Sequence, residues 1–344
     1  MQLIYHPFDL PLKHTFTIAH DSRDIQPTLI VELRDEEGNS GFGEATTSRY
    51  YQVQMESMID DLNRVKDWVE NKPWTSAEQL WELTHPVLGN NPFAQCALDV
   101  AAHDLTARRA RKPLYAFWGL QTDSIPPTNY TIGIDTVDKM VEKLKEFPWP
   151  LYKIKLGTDH DLKIVEELRK HTAAPFRIDA NCAWGADQTI EYSKELKDLG
   201  VEFIEQPLPA NDRKGMKKVF ENSALPVIAD ESCIVESDVG QCIGLFHGVN
   251  IKLTKCGGLT PARRMIDMAK QAGLKTMVGC MTESSVGIAA IGHLLPLLDY
   301  VDMDGQLLLA EDPATGVAFD NSGRFIYQDV PGTGAQLKNS NLRL

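Results

Sequence analysis

Five apolar runs of this chain each carry a charged residue at or near their end, and the charges recur at a nearly constant interval. The runs are LYKIK, FRIDAN, VEFIEQP, LPVIADES and GVNIKLTK. Their charged residues lie 22 to 26 positions apart and are Lys155, Asp179, Glu205, Asp230 and Lys252. That interval fits a unit of one strand, one loop and one helix of a few turns. A βα unit that repeats and closes on itself is a (β/α)8 barrel, so the spacing predicts this α/β fold.

The three carboxylates are predicted to meet at one mouth of the barrel, because active-site residues lie at the carboxyl ends of barrel strands. Asp179, Glu205 and Asp230 would repel one another there unless a cation holds them together. Oxygen ligands on rigid strands suit Mg2+, and the Cys and His ligands that Zn2+ prefers do not accompany them. A single such residue could instead cap a helix, but three in one repeat position favour a metal site.

Two lysines flank the carboxylates in strand order, Lys155 before them and Lys252 after them. Lys153 shares a strand face with Lys155 because strand side chains alternate, and two neighbouring ammonium groups are expected to lower one lysine pKa. A lysine with a lowered pKa can act as a base. A metal with a base on each side suits proton abstraction from a carbon acid. The competing chemistry is a Schiff-base aldolase that uses Lys252.

Composition argues against several other classes of protein. The net charge is -13 and the pI about 5.2, which disfavours binding to nucleic acid or to an anionic membrane surface. No apolar run reaches membrane-spanning length, and the amino terminus lacks the apolar core of a signal peptide. The six cysteines show no CxxC spacing, and we interpret them as reduced thiols of a cytoplasmic protein. A homo-oligomer is compatible with the sequence.

The first third of the chain does not follow the βα rhythm. Three predicted strands precede three predicted helices there, and these elements span 2–5, 28–33, 41–45, 51–69, 76–84 and 92–111. This order is typical of an α+β domain, so we predict one over residues 1–120 and the barrel over 125–319. The tail, residues 320–344, is rich in Gly and is expected to fold back onto the first domain.

Together these motifs resemble the enolase superfamily, and within it the muconate-lactonizing subgroup. The resemblance is carried by Lys153-x-Lys155, Asp179-x-Asn181, Glu205-Gln206-Pro207, Asp230-Glu231-Ser232 and Lys252. It implies a modified (β/α)8 barrel with an N-terminal α+β capping domain. It also implies one Mg2+ per active site, bound by Asp179, Glu205 and Asp230. Lys155 and Lys252 are then the acid–base pair, with Lys153 tuning Lys155.

A second acidic pair narrows the resemblance. Asp302 and Asp304 follow the eighth predicted strand, and two carboxylates away from the metal residues need a cation of their own. This DxD pair, and the segment CMTESS that contains Thr282, resemble the dipeptide epimerases. The resemblance implies that the pair binds the amino group of a dipeptide, whose C-terminal α-carbon is inverted through an enediolate. The alternatives are a solvated or helix-capping Asp pair and a second Mg2+ site.

Residues 12–24, LKHTFTIAHDSRD, resemble the capping-domain loop that closes over the substrate. In some Ala-Glu epimerases an Arg early in that loop binds the Glu side chain, and the matching position here is Thr17. Arg23 lies a few residues later and either substitutes for it or is an exposed arginine without a role. The resemblance favours Ala-Glu or a related dipeptide as substrate. Other reactions of the subgroup remain as alternatives: o-succinylbenzoate synthesis, N-succinyl amino acid racemisation and cycloisomerisation.

Overall fold

A computed structural model describes residues 1–19 and 21–338 of the protein. This part of the chain contains a three-stranded antiparallel sheet, an eight-stranded parallel sheet and a two-stranded sheet. The predicted fold class is confirmed, because the parallel sheet and its helices form a modified (β/α)8 barrel preceded by an α+β domain. Residues 339–344 of the predicted returning tail lie outside the described residues.

The N-terminal domain is a sheet covered by three helices. Its strands are β1 (Gln2–Ile18), β2 (Asp21–Arg34) and β3 (Ser40–Thr46), and its helices are α1 (Met55–Asn71), α2 (Ala77–Leu88) and α3 (Pro92–Arg109). Helix α3 packs closely on β3 because Gly43 has no side chain, and a Cβ at that position would collide with the carbonyl oxygen of Ala97. Because strand side chains alternate, the Glu44 carboxylate faces away from α3, and it accepts hydrogen bonds from Thr28 and Ser284.

The hairpin of β1 and β2 is much longer than predicted. Residues 12–18 and 21–24 of the segment expected to be a loop belong to the far end of this antiparallel pair, which runs from Gln2 opposite Arg34 to Ile18 opposite Asp21. The register shifts between Pro11 and Phe16. The prediction was wrong because it followed the resemblance to a loop, although Phe16 and Ile18 alternate with Thr15 and Thr17 as in a strand.

The barrel follows the predicted repeat closely. Its strands are β4 (Tyr130–Ile132), β5 (Tyr152–Lys155), β6 (Phe176–Asp179), β7 (Val201–Glu205), β8 (Val227–Ala229), β9 (Gly248–Lys252), β10 (Lys275–Gly279) and β11 (Tyr300–Asp302). The helices from the end of the first domain onwards are α4 (Leu114–Phe117), α5 (Val137–Glu146), α6 (Asp161–Arg169), α7 (Ala186–Asp198), α8 (Arg213–Asn222), α9 (Glu236–Gln241), α10 (Leu253–Cys256), α11 (Leu259–Gln271) and α12 (Ser285–Gly292). Sequential strands are neighbours throughout the sheet, from β4 to β11.

The first and last barrel strands meet through a short contact. Thr128, just before β4, forms a parallel bridge with Val301, and its hydroxyl accepts a hydrogen bond from the Met303 amide at 2.9 Å. In place of an eighth helix, a short 3-10 helix (Gly305–Leu308) follows β11. The barrel is therefore modified at its last unit, next to Asp302 and Asp304.

Two large apolar cores and a small apolar cluster inside the barrel stabilise the two domains. One core lies between the barrel strands and the outer helices, and another fills the capping domain. Inside the barrel, Phe203, Ile228 and Met277 form a buried cluster. Each of them precedes by two positions a residue at the carboxyl end of its strand, so the cluster lies one layer below that end. The barrel interior is thus apolar below and polar at its mouth.

The chain after the barrel returns to the first domain. The Thr333 amide donates a hydrogen bond to Asp104 Oδ1 at 2.6 Å, and Arg108 donates one to the Ala335 carbonyl at 2.6 Å. Strands β12 (Ala314–Thr315) and β13 (Gln336–Leu337) pair within this tail. These contacts agree with the expected return of the tail, and the domain boundaries stay predictions. None of the helices in the described ranges combines the length and apolar character needed to cross a membrane.

Candidate active site

The predicted site residues of the barrel lie together at the carboxyl ends of its strands. Lys155, Asp179 and Glu205 are the last residues of β5, β6 and β7, and they stand next to one another in register. Lys252 and Asp302 end β9 and β11, and both pair in register with Gly279 of β10. The strand repeat therefore brings these five strand-end residues into one polar layer at the barrel mouth.

The carboxylates of Asp179, Glu205 and Asp230 form a compact buried group. Their oxygen atoms lie within 4.8 Å of one another. Burial raises the pKa of Glu205 to about 8, and the neighbouring charge of Asp179 adds to the shift. Glu205 Oε2 accepts no hydrogen bond from any described residue, although Lys153 Nζ forms an ion pair with it at 2.7 Å. A buried all-oxygen group with an unbonded oxygen fits a hard divalent cation such as Mg2+.

Lys155 and Lys252 lie on opposite sides of this group. Lys155 Nζ is 2.6 Å from Asp179 Oδ2, and Lys252 Nζ is 2.7 Å from Asp230 Oδ2. Burial alone would lower the pKa of Lys252, but the charge of Asp230 outweighs it and holds the pKa well above its usual value. Both ammonium groups reach the same cavity, which Asp230 also lines, while Asp179 and Glu205 are fully buried beneath it.

Lys153 does not have the lowered pKa that a neighbouring lysine would cause. Its ammonium group is fully buried one layer below Lys155, within 3.1 Å of Asp179, 2.7 Å of Glu205 and 2.8 Å of Asp302. Burial lowers its pKa, but these three carboxylates outweigh burial and raise the pKa well above its usual value. Lys153 is therefore a permanent positive charge that links the triad to the acidic pair.

Asp302 and Asp304 line the other end of the cavity, but Asp302 is not unpaired as expected. It accepts hydrogen bonds from Lys153 at 2.8 Å and from Asn129 at 2.7 Å, and these partners hold its pKa below the usual range despite burial. Burial and the charge of Asp302 raise the pKa of Asp304 to about 8, while the Thr131 amide donates to Asp304. Thr282 lines the cavity beside them.

The sequence analysis did not identify two residues that support the triad. Lys255 is buried in α10 and donates hydrogen bonds to both the side chain and the backbone of Asp230. Asn250 donates a hydrogen bond to Glu205 Oε1 at 2.8 Å. Asn250 precedes Lys252 by two positions on β9, so strand alternation places both on one face, and the sequence alone could have indicated its role.

The capping domain supplies the opposite wall of a cavity of about 240 Å³. Phe16 stands opposite Arg23 in the hairpin and Ile18 stands opposite Asp21, so these four side chains share one face and line the cavity. Thr17 is on the other face, where its hydroxyl lies 2.9 Å from that of Ser22. The structure therefore brings Arg23 to the cavity and leaves Thr17 out of its lining.

Comparison with known proteins agrees with the resemblance. Residues 5–119 match the family described as mandelate racemase/muconate lactonizing enzyme, N-terminal domain, and residues 135–341 match the family described as enolase C-terminal domain-like. The chain is 58% identical over 337 residues to the L-Ala-D/L-amino acid epimerase of Flavobacterium johnsoniae, and the match covers 98% of this chain and 100% of that protein.

Two solved structures have nearly the same fold over almost their whole length. A dipeptide epimerase from Cytophaga hutchinsonii, complexed with Mg and the dipeptide D-Ala-L-Val, has a TM-score of 0.92 and 26% identity, and the match covers 99% of this chain and 97% of that one. An N-succinyl Arg/Lys racemase from Bacillus cereus has a TM-score of 0.90 and 26% identity, with 98% and 96% covered. The chain therefore belongs to the mandelate racemase/muconate lactonizing enzyme family of the enolase superfamily.

Proposed function

We propose that this protein is a Mg2+-dependent dipeptide epimerase that inverts the C-terminal α-carbon of an L-Ala-Xaa type of dipeptide. One observation carries the proposal: a single cavity has two lysines on opposite sides of a carboxylate triad and an acidic pair at its other end. The name of the Flavobacterium johnsoniae relative and the ligands of the Cytophaga hutchinsonii structure support the same substrate class.

Asp179, Glu205 and Asp230 would hold the metal ion. When bound, Mg2+ supplies the positive charge that a substrate carboxylate needs as its α-proton leaves. Asn250 orients Glu205, and Lys255 orients Asp230, so the ligand carboxylates keep their positions whether or not substrate is present. The substrate carboxylate would lie above the triad, which places the adjoining α-carbon between the two lysines.

Lys155 and Lys252 would exchange the α-proton from opposite faces. One lysine removes the proton from the α-carbon, and the other delivers a proton to the opposite face, which inverts the configuration. Each ammonium group is held by one triad carboxylate, so its position is fixed before the substrate binds. Lys153 stays charged below them and keeps the carboxylates of the site together.

Asp302, Asp304 and Thr282 would bind the amino end of the dipeptide. Lys153 neutralises one negative charge of the acidic pair, which leaves Asp304 to receive the substrate ammonium at the cavity surface. The substrates of N-succinyl amino acid racemisation, o-succinylbenzoate synthesis and cycloisomerisation have no free α-ammonium group for that position. A Schiff-base aldolase would use Lys252 alone, and it would need neither the second lysine on the opposite side nor the carboxylate triad that fits a metal.

A dipeptide library in D2O with Mg2+ tests the proposal directly. Mass spectrometry should detect one deuterium at the C-terminal α-carbon of L-Ala-Xaa dipeptides, and the label should be lost when EDTA removes the metal. The matched N-acetylated dipeptides should exchange at least about tenfold more slowly, because they lack the charge that the acidic pair binds. Faster turnover of N-succinyl amino acids than of free dipeptides would assign the racemase reaction instead.

A cytoplasmic location is also part of the proposal. The free thiols of all six cysteines support it.

A further inference from the structure

The end of the β1–β2 hairpin presents a particular chemistry to the substrate. Its cavity face consists of two apolar side chains, Phe16 and Ile18, and two charged ones, Asp21 and Arg23. Among the described residues of the capping domain, the charged side chains that line the cavity are Asp21, Arg23 and Arg49. With the substrate carboxylate above the triad and its amino end at Asp302 and Asp304, as proposed, this wall is the part of the cavity left for the side chain of the C-terminal residue.

The two charges on this face already neutralise each other. Arg23 Nη2 lies 2.6 Å from Asp21 Oδ2, and Arg23 Nη1 donates a hydrogen bond to Gln26. Both terminal nitrogens of the guanidinium therefore have protein partners, while Arg23 Nε is buried and has no hydrogen-bond partner among the described residues. Arg49 also approaches Asp21, at 3.3 Å, but its side chain is 85% exposed and its charge is screened by water.

The pairing has a consequence for an acidic side chain in this position. To reach Arg23, a substrate carboxylate must either displace Asp21 or lie next to it, and two adjacent carboxylates repel each other. An uncharged side chain meets Phe16, Ile18 and a neutral ion pair, and it incurs neither cost. Removal of the Asp21 charge would leave Arg23 with an unneutralised guanidinium at the cavity wall.

We infer that Asp21 is a specificity-determining residue that occupies the guanidinium of Arg23 and thereby selects dipeptides with an uncharged C-terminal side chain over those with Glu. The inference rests on the proposed function and revises the Ala-Glu preference that the resemblance favoured. The earlier expectation treated Arg23 as a candidate for binding the Glu side chain, because residues 12–24 were interpreted as a loop, and only a strand places Asp21 and Arg23 on the same face.

Two substrates of nearly identical shape test the inference on the full-length protein with Mg2+. We expect kcat/KM for α-deuterium exchange to be at least about tenfold higher with L-Ala-L-Gln than with L-Ala-L-Glu. In Asp21→Asn this ratio should move towards L-Ala-L-Glu by at least about tenfold, because a charged hydrogen bond becomes available. The double variant Asp21→Asn/Arg23→Gln should lose that shift, since the unpaired guanidinium is gone.

Asp24→Asn is the matched control, because Asp24 is a carboxylate of the same hairpin that bonds Thr15 and does not line the cavity. Its substrate ratio should stay within about twofold of the parent ratio. Equal or faster exchange of L-Ala-L-Glu by the parent enzyme overturns the inference without any variant. An unchanged ratio in a folded Asp21→Asn also overturns it, as does a shift that persists in the double variant. Exchange of N-succinyl amino acids and of neither dipeptide would instead overturn the proposed function.

Discussion

At the scale of single residues, the site depends on buried charges that compensate one another. Lys153 contacts three carboxylates inside the barrel, and its charge lets Asp179 and Glu205 remain in a layer with no exposed surface. A buried carboxylate without a partner would take up a proton instead. The number of acidic side chains nevertheless exceeds what this lysine can balance, and the raised pKa of Glu205 reflects that excess.

Replacement of one triad carboxylate by its amide should therefore weaken metal binding. We expect Asp179→Asn, Glu205→Gln and Asp230→Asn each to lower Mg2+ affinity at least about tenfold and to abolish turnover, because a neutral amide binds a hard cation less well. Calorimetric titration with Mg2+ measures the affinity separately from activity. Asp212→Asn is the control, since Asp212 caps α8 and Asn caps a helix equally well. Near-parental affinity and turnover in any triad variant would remove that residue from the ligand set.

The two lysines are expected to differ in the substrate epimer that they recognise. Lys155→Ala should lose α-deuterium exchange with one epimer and Lys252→Ala with the other, because β5 and β9 place the ammonium groups on opposite sides of the triad. Exchange of each pure epimer in D2O, followed by NMR, separates the two half-reactions. Lys163→Ala, an exposed position on α6, should exchange both epimers at the parental rate. The two-base proposal fails if both active-site variants still exchange both epimers.

At the scale of elements, the strand ends determine the site, and one glycine makes room for it. Gly279 ends β10 between Lys252 and Asp302 in register, where a side chain would point into the barrel. A Cβ there would lie 2.7 Å from Asn250 Oδ1, and Asn250 is the residue that orients Glu205. The absence of a side chain on β10 thus lets the neighbouring strand support the triad.

Gly279→Ala should therefore impair the metal site without changing any ligand. We expect an overpacking cost of about 1–3 kcal/mol in the free energy of unfolding and a several-fold loss of Mg2+ affinity, measured by denaturation and calorimetry. Gly240→Ala in α9 is the matched control, because a Cβ at that position meets nothing within 4 Å. A variant that loses stability and keeps parental Mg2+ affinity would show that Asn250 does not position Glu205.

The strands of the barrel could be predicted from the sequence, whereas their cross-barrel contacts could not. Each of β5 to β9 is a short apolar run with a charge at its end, and that local pattern fixes both the element and the site residue. The Lys153–Asp302 pair joins positions 149 residues apart, so no local spacing indicates it. The far end of the hairpin failed for another reason: Phe16 and Ile18 do alternate with Thr15 and Thr17, but the resemblance to a loop took precedence over this short strand pattern.

At the scale of the whole molecule, the cavity depends on how the capping domain attaches to the barrel. Glu44 of β3 is fully buried and accepts hydrogen bonds from the amides of Ser284 at 3.0 Å and Gly287 at 2.9 Å, at the start of α12. Asp99 of α3 accepts one from the Thr260 amide at 2.8 Å, at the start of α11. Two helix N-termini of the barrel thus bind carboxylates of the capping domain, which fixes the domain that carries the hairpin.

Glu283 makes this junction sensitive to pH, because it is buried beside Glu44. Burial, with the charge of Glu44, raises the pKa of Glu283 to about 8 from 4.5. A carboxyl group whose pKa is raised by folding stabilises the native state below its unfolded pKa, and that contribution is lost as pH rises towards the folded pKa. The free energy of unfolding should therefore fall between about pH 5 and 8, by up to about 1.4 kcal/mol per pH unit from this group.

Glu283→Gln should remove this dependence, since the amide does not ionise and its oxygen can still accept the hydrogen bond from the Met281 amide. Denaturant unfolding at pH 5, 6, 7 and 8 should show the variant gaining stability relative to the parent as pH rises. Glu82→Gln, at an exposed position of α2, should reproduce the parental profile. A constant difference between Glu283→Gln and the parent across this range would mean that Glu283 titrates alike in the folded and unfolded chains. Any pH dependence of the junction would then come from its other buried carboxyl groups, such as Asp99, whose pKa burial raises to about 7.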